Sequence, residues 1–344
     1  MLTFYYPNHH IHDPALMHRP DVPHSIIYYS EIARRGQIIH DAVATAGLGN
    51  IEPPQDFGLP PIVEVHRHDF VDFLQNAHAR LVAETGRQVA TPDAFSLGRR
   101  PRHKPVSIWG LLGYYCFDVG SPIFAGTWEA AYWSAQTAVT AADAVNNGEH
   151  LTYALCRPPG HHTAADLYGG FCYLNNAAIA TQWLVEEGQR VAILDLDYHH
   201  GNGTQEIFYG RADVLTCSIH ADPLHEYPFY WGFADEYGLG AGENHNFNFP
   251  LPVGTREPAY LVALDIALRR IRAFVPDCLV ISFGADTLEG DPVGGFKLSV
   301  ESYGRIATQI AALELPTVVI QEGGYLYSQL GSAVVSFLKG LQGN

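Results

Sequence analysis

Basic charge is scarce in this chain. Its 344 residues hold only three lysines, and 20 basic against 36 acidic residues give a formal net charge of −16. That balance argues against nucleic acid and anionic membrane as partners, and its field favours cationic small molecules. Cysteine is sparse too. Cys116, Cys156, Cys172, Cys217 and Cys278 form no CxxC pair and lie mostly in apolar runs. They read as reduced core residues of a cytoplasmic protein. No apolar run reaches transmembrane length, and residues 1–13 lack the charged and apolar regions of a signal peptide. There is no Ser/Gly-rich tract, charge block or repeat period. One α/β unit is therefore expected, although the chain is long for one.

What the chain does have is a set of strand-like runs that end in polar residues. Val191, Ala192, Ile193 and Leu194 read as a buried parallel strand, followed by Asp195-Leu196-Asp197-Tyr198-His199-His200-Gly201. Asp197 and His199 stand two apart, which on an extended chain puts both on one face. Open α/β sheets bind ligands at that carboxyl edge, and an Asp and a His converging there can hold a divalent metal. A second run, 151–156, leads into Arg157-Pro158-Pro159-Gly160-His161-His162. The prolines and glycine exclude a helix and present the two histidines on a stiff turn. Histidine supplies the near-neutral pKa that a general base needs. Two more runs end in Ser282-Phe283-Gly284-Ala285-Asp286 and in Gln321-Glu322-Gly323-Gly324-Tyr325. The paired glycines allow Tyr325 to turn back over the sheet edge. Strand-like and helix-like segments alternate from residue 151 onward, which predicts a doubly wound, mostly parallel sheet with helices on both faces. Helices are expected at 65–82, 128–145, 175–187, 256–274 and 300–313.

The motifs RPPGHH, GGFCYLNNAA, DLDYHHGNGTQ, FGADTLEGDP and EGGY resemble those of the zinc-dependent histone deacetylase superfamily, most closely its bacterial acetylpolyamine amidohydrolase branch. The likeness spans nearly the whole chain and is strongest from Gly110 to Tyr325. It implies the arginase–deacetylase fold with long active-site loops. It implies a catalytic zinc on Asp197, His199 and Asp286, with ferrous iron possible on the same ligands. Arginases of this fold hold two manganese ions, but Gly201 and Leu288 stand where the second ion would need carboxylates. A mononuclear site is expected. The resemblance further implies structural potassium ions. One would sit at Asp195, Asp197, His199, Ser218 and Ile219, and a second at Phe208, Arg211, Val214 and His245.

The activity implied is hydrolysis of an acetylamide. His162, partnered by Asn202, would act as base, and His161, oriented by Asp195, as electrostatic partner, with the division of labour between the two histidines open. Tyr325 would donate to the developing oxyanion. Gly170 would accept the substrate amide N–H, and Phe171 and Tyr227 would wall the tunnel. An insertion at 84–124 would carry dimer contacts and narrow the entrance, giving a homodimer or a dimer of dimers. A basic cluster, Arg99, Arg100, Arg102, His103 and Lys104, lies inside it. Acidic residues that attract a distal ammonium in acetylpolyamine enzymes are missing at Trp109 and Gly120, leaving Asp118 or Glu129 as substitutes. The block Phe229-Tyr230-Trp231-Gly232-Phe233 could stack on a flat amide or hold a cation. Small acetylated amines are the expected substrates. Acetyl-lysine peptides, other small or xenobiotic amides, and a non-catalytic binder of acetylated ligands are the alternatives.

Overall fold

The computed structural model describes residues 1–14, 30–96 and 103–343. Eight strands form one sheet: β1 (Leu2–Tyr5), β2 (Ile51–Glu52), β3 (Leu151–Leu155), β4 (Val191–Asp195), β5 (Val214–Ala221), β6 (Asn246–Leu251), β7 (Cys278–Phe283) and β8 (Thr317–Gln321). All neighbours pair in parallel, in the order β2-β1-β3-β8-β7-β4-β5-β6. The strands that arrive last in the chain, β7 and β8, fill the centre between β3 and β4. That insertion matters for the site. The four polar strand ends seen in the sequence follow β3, β8, β7 and β4, which lie side by side with their carboxyl ends on one edge.

Among the described residues ten α-helices accompany the sheet: α1 (Arg34–Ala46), α2 (Pro60–Val63), α3 (His68–Thr85), α4 (Ile108–Tyr115), α5 (Thr127–Asn146), α6 (Asn176–Glu186), α7 (Asn202–Phe208), α8 (Glu257–Phe274), α9 (Val300–Ala311) and α10 (Leu330–Leu341). The period-2 alternation of the strands builds two cores. Val191, Ile193, Val280, Val318 and Ile320 face α3 to α6 on one side. Ala192, Leu194, Leu279, Ile281 and Val319 face α1, α8, α9 and α10 on the other. Strands buried on both faces need continuous apolar runs, and that is why they were readable as such.

The five expected helices are present with shifted ends. The first starts at His68 rather than 65, because Val65 and His66 close a turn back onto the Ile62 carbonyl and Arg67 is extended. Asn175 lies outside α6 as its cap, its side chain accepting from Ala178 N–H at 2.9 Å. Arg256 likewise precedes α8, and α9 stops at Ala311 after a capping box at Ser299. Among the described residues no helix is long and apolar enough to cross a membrane. The five cysteines are free and buried.

The segment expected as an insertion, residues 84–124, packs in part against the rest of the chain. Its second half contains α4, whose Ile108, Leu111, Leu112 and Tyr115 are buried in the same core as α3. Arg99, Arg100 and Arg102 lie outside the described residues. Lys104 does not form a free basic face: it bonds Asp69 at 3.2 Å and sits 5.0 Å from the centre of the Tyr115 ring.

Candidate active site

The carboxyl ends of β4 and β7 bring Asp197, His199 and Asp286 together. One ligand atom from each lies within 4.8 Å of the others. His199 Nδ1 is 3.2 Å from Asp197 Oδ1 and 3.2 Å from Asp286 Oδ2. Backbone N–H groups fix the carboxylates: Gly323 donates to Asp197 Oδ2 at 2.8 Å and Tyr198 to Asp286 Oδ1 at 2.9 Å. Asp286 Oδ2 is buried without a hydrogen bond. Burial and the charge of Asp197 push the Asp286 carboxyl upward. Burial opposes ionisation of Asp197 as well, yet His161 and His199 hold it low. Two buried like charges and an orphaned oxygen are the electrostatics of a cation cradle. The donor set fits one divalent ion with positions left open. Gly323 is required by that packing, since a Cβ there would stand 2.5 Å from Asp286 Oδ2 and 2.6 Å from Asp197 Oδ2.

The turn after β3 places the two histidines beside this cluster, and their partners differ. His161 Nδ1 lies 3.0 Å from Asp195 Oδ2, and His162 Nδ1 lies 2.7 Å from Asn202 Oδ1. Burial opposes charge on His161, but Asp195 and Asp197 outweigh it and push the imidazole up to about 10. Burial, reinforced by His161 and His199, drives His162 well below its ordinary value. With Nδ1–H donating to the Asn202 amide oxygen, His162 Nε2 keeps its lone pair. One ring is paired with a carboxylate and its neighbour with an amide, with centroids 4.0 Å apart.

His161, His162, Gly170, Phe171, Asp197, His199, Tyr227 and Tyr325 line a single cavity of about 200 Å³. Asp195, Asn202 and Asp286 stand behind that lining. Tyr325 is buried, with its ring 5.8 Å from that of Phe171, and Tyr227 meets His162 edge-on at 5.0 Å. Gly170 takes φ +59°, and a Cβ there would lie 2.3 Å from the His162 ring. The sites expected to take a distal ammonium separate. Asp118 and Gly120 line the cavity, whereas Glu129 accepts from the Tyr6 hydroxyl at 2.9 Å and Trp109 stacks under Arg87 at 4.9 Å. Glu129 therefore does not line this cavity. Of the residues expected around cations, Asp195 and Ser218 are register partners on β4 and β5. The Phe208 carbonyl accepts from Arg211 N–H and the His245 carbonyl from Thr216 N–H, both at 2.9 Å.

Three residues that hold the site carried no assigned role in the sequence. Glu322 accepts from Gly160 N–H at 2.7 Å and His161 N–H at 3.2 Å, so it clasps the histidine turn. Its Oε1 has no partner, and burial pushes its carboxyl up to about 7. Asp291 accepts from the backbone of Tyr325 at 2.6 Å and of Leu326 at 2.8 Å. Arg35, fully buried, bonds the carbonyls of Gly324 at 2.8 Å and Glu322 at 2.5 Å and lies 4.6 Å from the Tyr325 ring centre. Glu322 and Asp291 stand inside quoted motifs, so a buried carboxylate beside paired glycines was an available signal. Arg35 offered none, because one arginine in an ordinary helix reads as surface.

Residues 29–341 match the histone deacetylase domain family. The chain is 44% identical over 349 aligned residues to acetylpolyamine amidohydrolase 2 of Pseudomonas aeruginosa, covering 100% of this chain and 99% of that one. It is 48% identical to acetylpolyamine amidohydrolase 1 of the same organism, with 91% of each covered. The crystal structure of an acetylpolyamine aminohydrolase from Burkholderia pseudomallei superimposes with a TM-score of 0.93 at 41% identity, over 99% of this chain and 98% of that one. The chain belongs to the histone deacetylase family, in the branch of the bacterial acetylpolyamine amidohydrolases.

Proposed function

We propose that this chain is a zinc-dependent amidohydrolase that removes acetyl groups from small acetylated amines, acetylpolyamines among them. The observation that carries the proposal is the pair of histidines beside the metal-ligand cluster, His161 bonded to the Asp195 carboxylate and His162 to the Asn202 amide. Both open on the cavity that holds the Asp–His–Asp cluster and Tyr325. Relatives at 41–48% identity bear the name acetylpolyamine amidohydrolase, which agrees with it.

Asp197, His199 and Asp286 would hold the ion. When bound, zinc polarises an amide carbonyl and acidifies water. His162 Nε2 takes a proton from the attacking water and returns it to the departing amine nitrogen. His161, bonded to Asp195, offsets negative charge that develops nearby. The Tyr325 hydroxyl donates to the amide oxygen as that oxygen gains charge. The Gly170 carbonyl accepts the amide N–H, and Phe171 and Tyr227 flank the methylenes. Ferrous iron would suit the same donors. We assign the structural potassium ions to the two sets named from the sequence, Asp195, Asp197, His199, Ser218 and Ile219, and Phe208, Arg211, Val214 and His245. We further assign a homodimer, or a dimer of dimers, built on residues 84–124, in the cytoplasm.

The test is a metal-reconstituted activity screen over acetylputrescine, acetylcadaverine, acetylspermidine and an acetyl-lysine peptide, with elemental analysis. About one zinc per chain and turnover of the small amines are expected. Two tightly bound manganese ions, or preference for the acetyl-lysine peptide, would overturn the assignment. Sedimentation at micromolar concentration that finds only monomer would overturn the dimer.

A further inference from the structure

A second and larger cavity, of about 1030 Å³, adjoins the first. The two share Asp118 and Tyr227 in their walls. Its lining is dominated by rings: Phe95, Tyr114 and Phe117 from one side, and Phe229, Tyr230 and Trp231 from the other. Phe117 lies at 6.1 Å from Tyr227, nearly parallel, and at 6.4 Å from Trp231, nearly perpendicular. Tyr230 and Trp231 meet edge-on at 6.1 Å. Tyr230 is 78% exposed and Phe229 48% exposed, so their rings are left largely uncovered.

This arrangement is held in place. Phe229 takes φ +66°, a left-handed conformation that a ringed residue adopts only when its surroundings impose it. Directly after the rings, Gly232 N–H donates to Glu236 Oε2 at 2.9 Å, and the Gly232 carbonyl lies 2.8 Å from His220 Nε2. Glu236 is itself tied to Gln205 Nε2 at 2.7 Å. The loop is pinned to α7 and β5.

The charged groups of the wall are already engaged. Asp118 accepts from Gly120 N–H at 2.9 Å, Gly170 N–H at 2.7 Å and the Tyr227 hydroxyl at 2.8 Å. Arg67 bonds Asp69 at 3.1 Å and pairs with Asp166 at 3.6 Å. Among the described lining residues the carboxylates are Asp118, which already accepts three hydrogen bonds, and Asp166, which pairs with Arg67, so a distal ammonium would have to share them. A flat ring would find several ring faces and edges at stacking distance.

We infer that this chamber binds the amine half of the substrate and accepts an aromatic ring there, so that N-acetylated arylalkylamines are substrates alongside the acetylpolyamines. The inference rests on the amidohydrolase reading only for turnover; the binding of the ring does not depend on it.

The test compares N-acetylphenethylamine, neutral N-hexylacetamide and cationic acetylcadaverine, in kcat/KM with the zinc-loaded chain and in affinity by calorimetry with metal-depleted chain. One added aromatic pairing is worth about two- to tenfold. The phenethyl amide is expected to exceed the hexyl amide by that factor in both readouts, and Trp231→Ala and Tyr230→Ala should each erase the margin. Circular dichroism and an unchanged melting temperature show whether the variants are folded. Equal values for the two neutral amides would overturn the inference. So would variants that weaken acetylcadaverine and spare the phenethyl amide, because the rings would then be a cation cage. Absence of all hydrolysis with the binding margin intact would overturn the amidohydrolase reading and leave the chamber assignment standing.

Discussion

The catalytic cavity and the aromatic chamber share two wall residues but are built by different means. The cavity hangs from adjacent parallel strands whose register fixes where each side chain emerges. Asp195 is paired in register with Ser282 of β7 and Ser218 of β5, and its carboxylate meets His161 from the turn after β3. The chamber is made by the end of α4 and by loop segments far apart in sequence, at 67, 95–96, 116–118, 166–167 and 227–231. A sheet edge can hold reacting groups within fractions of an ångström because every strand position is set by its ladder. Loops can change ring by ring without disturbing that edge. Chemistry and selectivity are thereby placed on separate supports.

The largest effect should come from the edge. Asp286→Ala removes one of the three donors and leaves Asp197 and His199 alone to hold an ion. Loss of tightly bound zinc and of measurable turnover is expected, with the fold retained by circular dichroism. Normal zinc content in that variant would mean that the ion sits elsewhere. Next in size is Tyr325→Phe. Removing one donor to a developing oxyanion costs about 10²–10³ in rate. The variant should keep its zinc, its KM and its melting temperature. A change confined to KM would assign Tyr325 to the chamber side of the comparison.

The difference in construction also explains what the sequence disclosed. Apolar runs buried on both faces announced β3, β4, β7 and β8, and their terminal polar residues announced Asp197, His199, Asp286, the histidine turn and Tyr325. Short or mixed elements stayed hidden. β1 and β2 have four and two residues, and α7 has seven, too few for a period to show. Helix α1 carries the buried Arg35, whose role exists only because the chain returns to place Gly324 and Glu322 against it. The aromatic block at 229–233 was visible as composition, but its partners Phe95, Tyr114 and Phe117 are more than a hundred residues away. No local pattern links them.

A smaller effect is expected from Glu322, which lies beneath the edge and touches no substrate. Its carboxyl is pushed up to about 7 by burial, from an ordinary value near 4.5. A raised carboxyl pKa contributes stability that is complete below the unfolded value and is lost as pH rises through the folded one. Glu322→Gln removes that dependence, because its amide oxygen can still accept from Gly160 and His161. The variant should therefore gain in melting temperature relative to the parent between pH 5 and pH 8, with kcat reduced less than in Tyr325→Phe. A difference in melting temperature that does not change with pH would show that Glu322 is ionised throughout.

The smallest effect, and the one that bears most on the boundary, belongs to Tyr227→Phe. Tyr227 faces both cavities, and its hydroxyl is one of three donors to the buried Asp118. Burial already raises the Asp118 carboxyl, while Gly170, Tyr227 and Gly120 work to lower it. Losing the hydroxyl leaves two backbone donors in place, so the carboxylate stays paired and the fold should hold. A hydrogen bond to a charged group is worth about 1.5–3 kcal/mol, and only part of that is at risk here. We expect KM for small acetylated amines to rise about three- to tenfold with kcat nearly unchanged, since the lost group wall-papers the amine half and reaches no reacting atom. The Asp118 carboxyl should rise further, so the KM increase should set in at higher pH than in the parent as the solution is acidified. The phenyl ring that remains still meets His162 edge-on, as the tyrosine ring does at 5.0 Å. If kcat instead fell as far as in Tyr325→Phe, the hydroxyl of Tyr227 would be acting on His162, and the line between the reacting edge and the selecting chamber would have to be drawn on the other side of this residue.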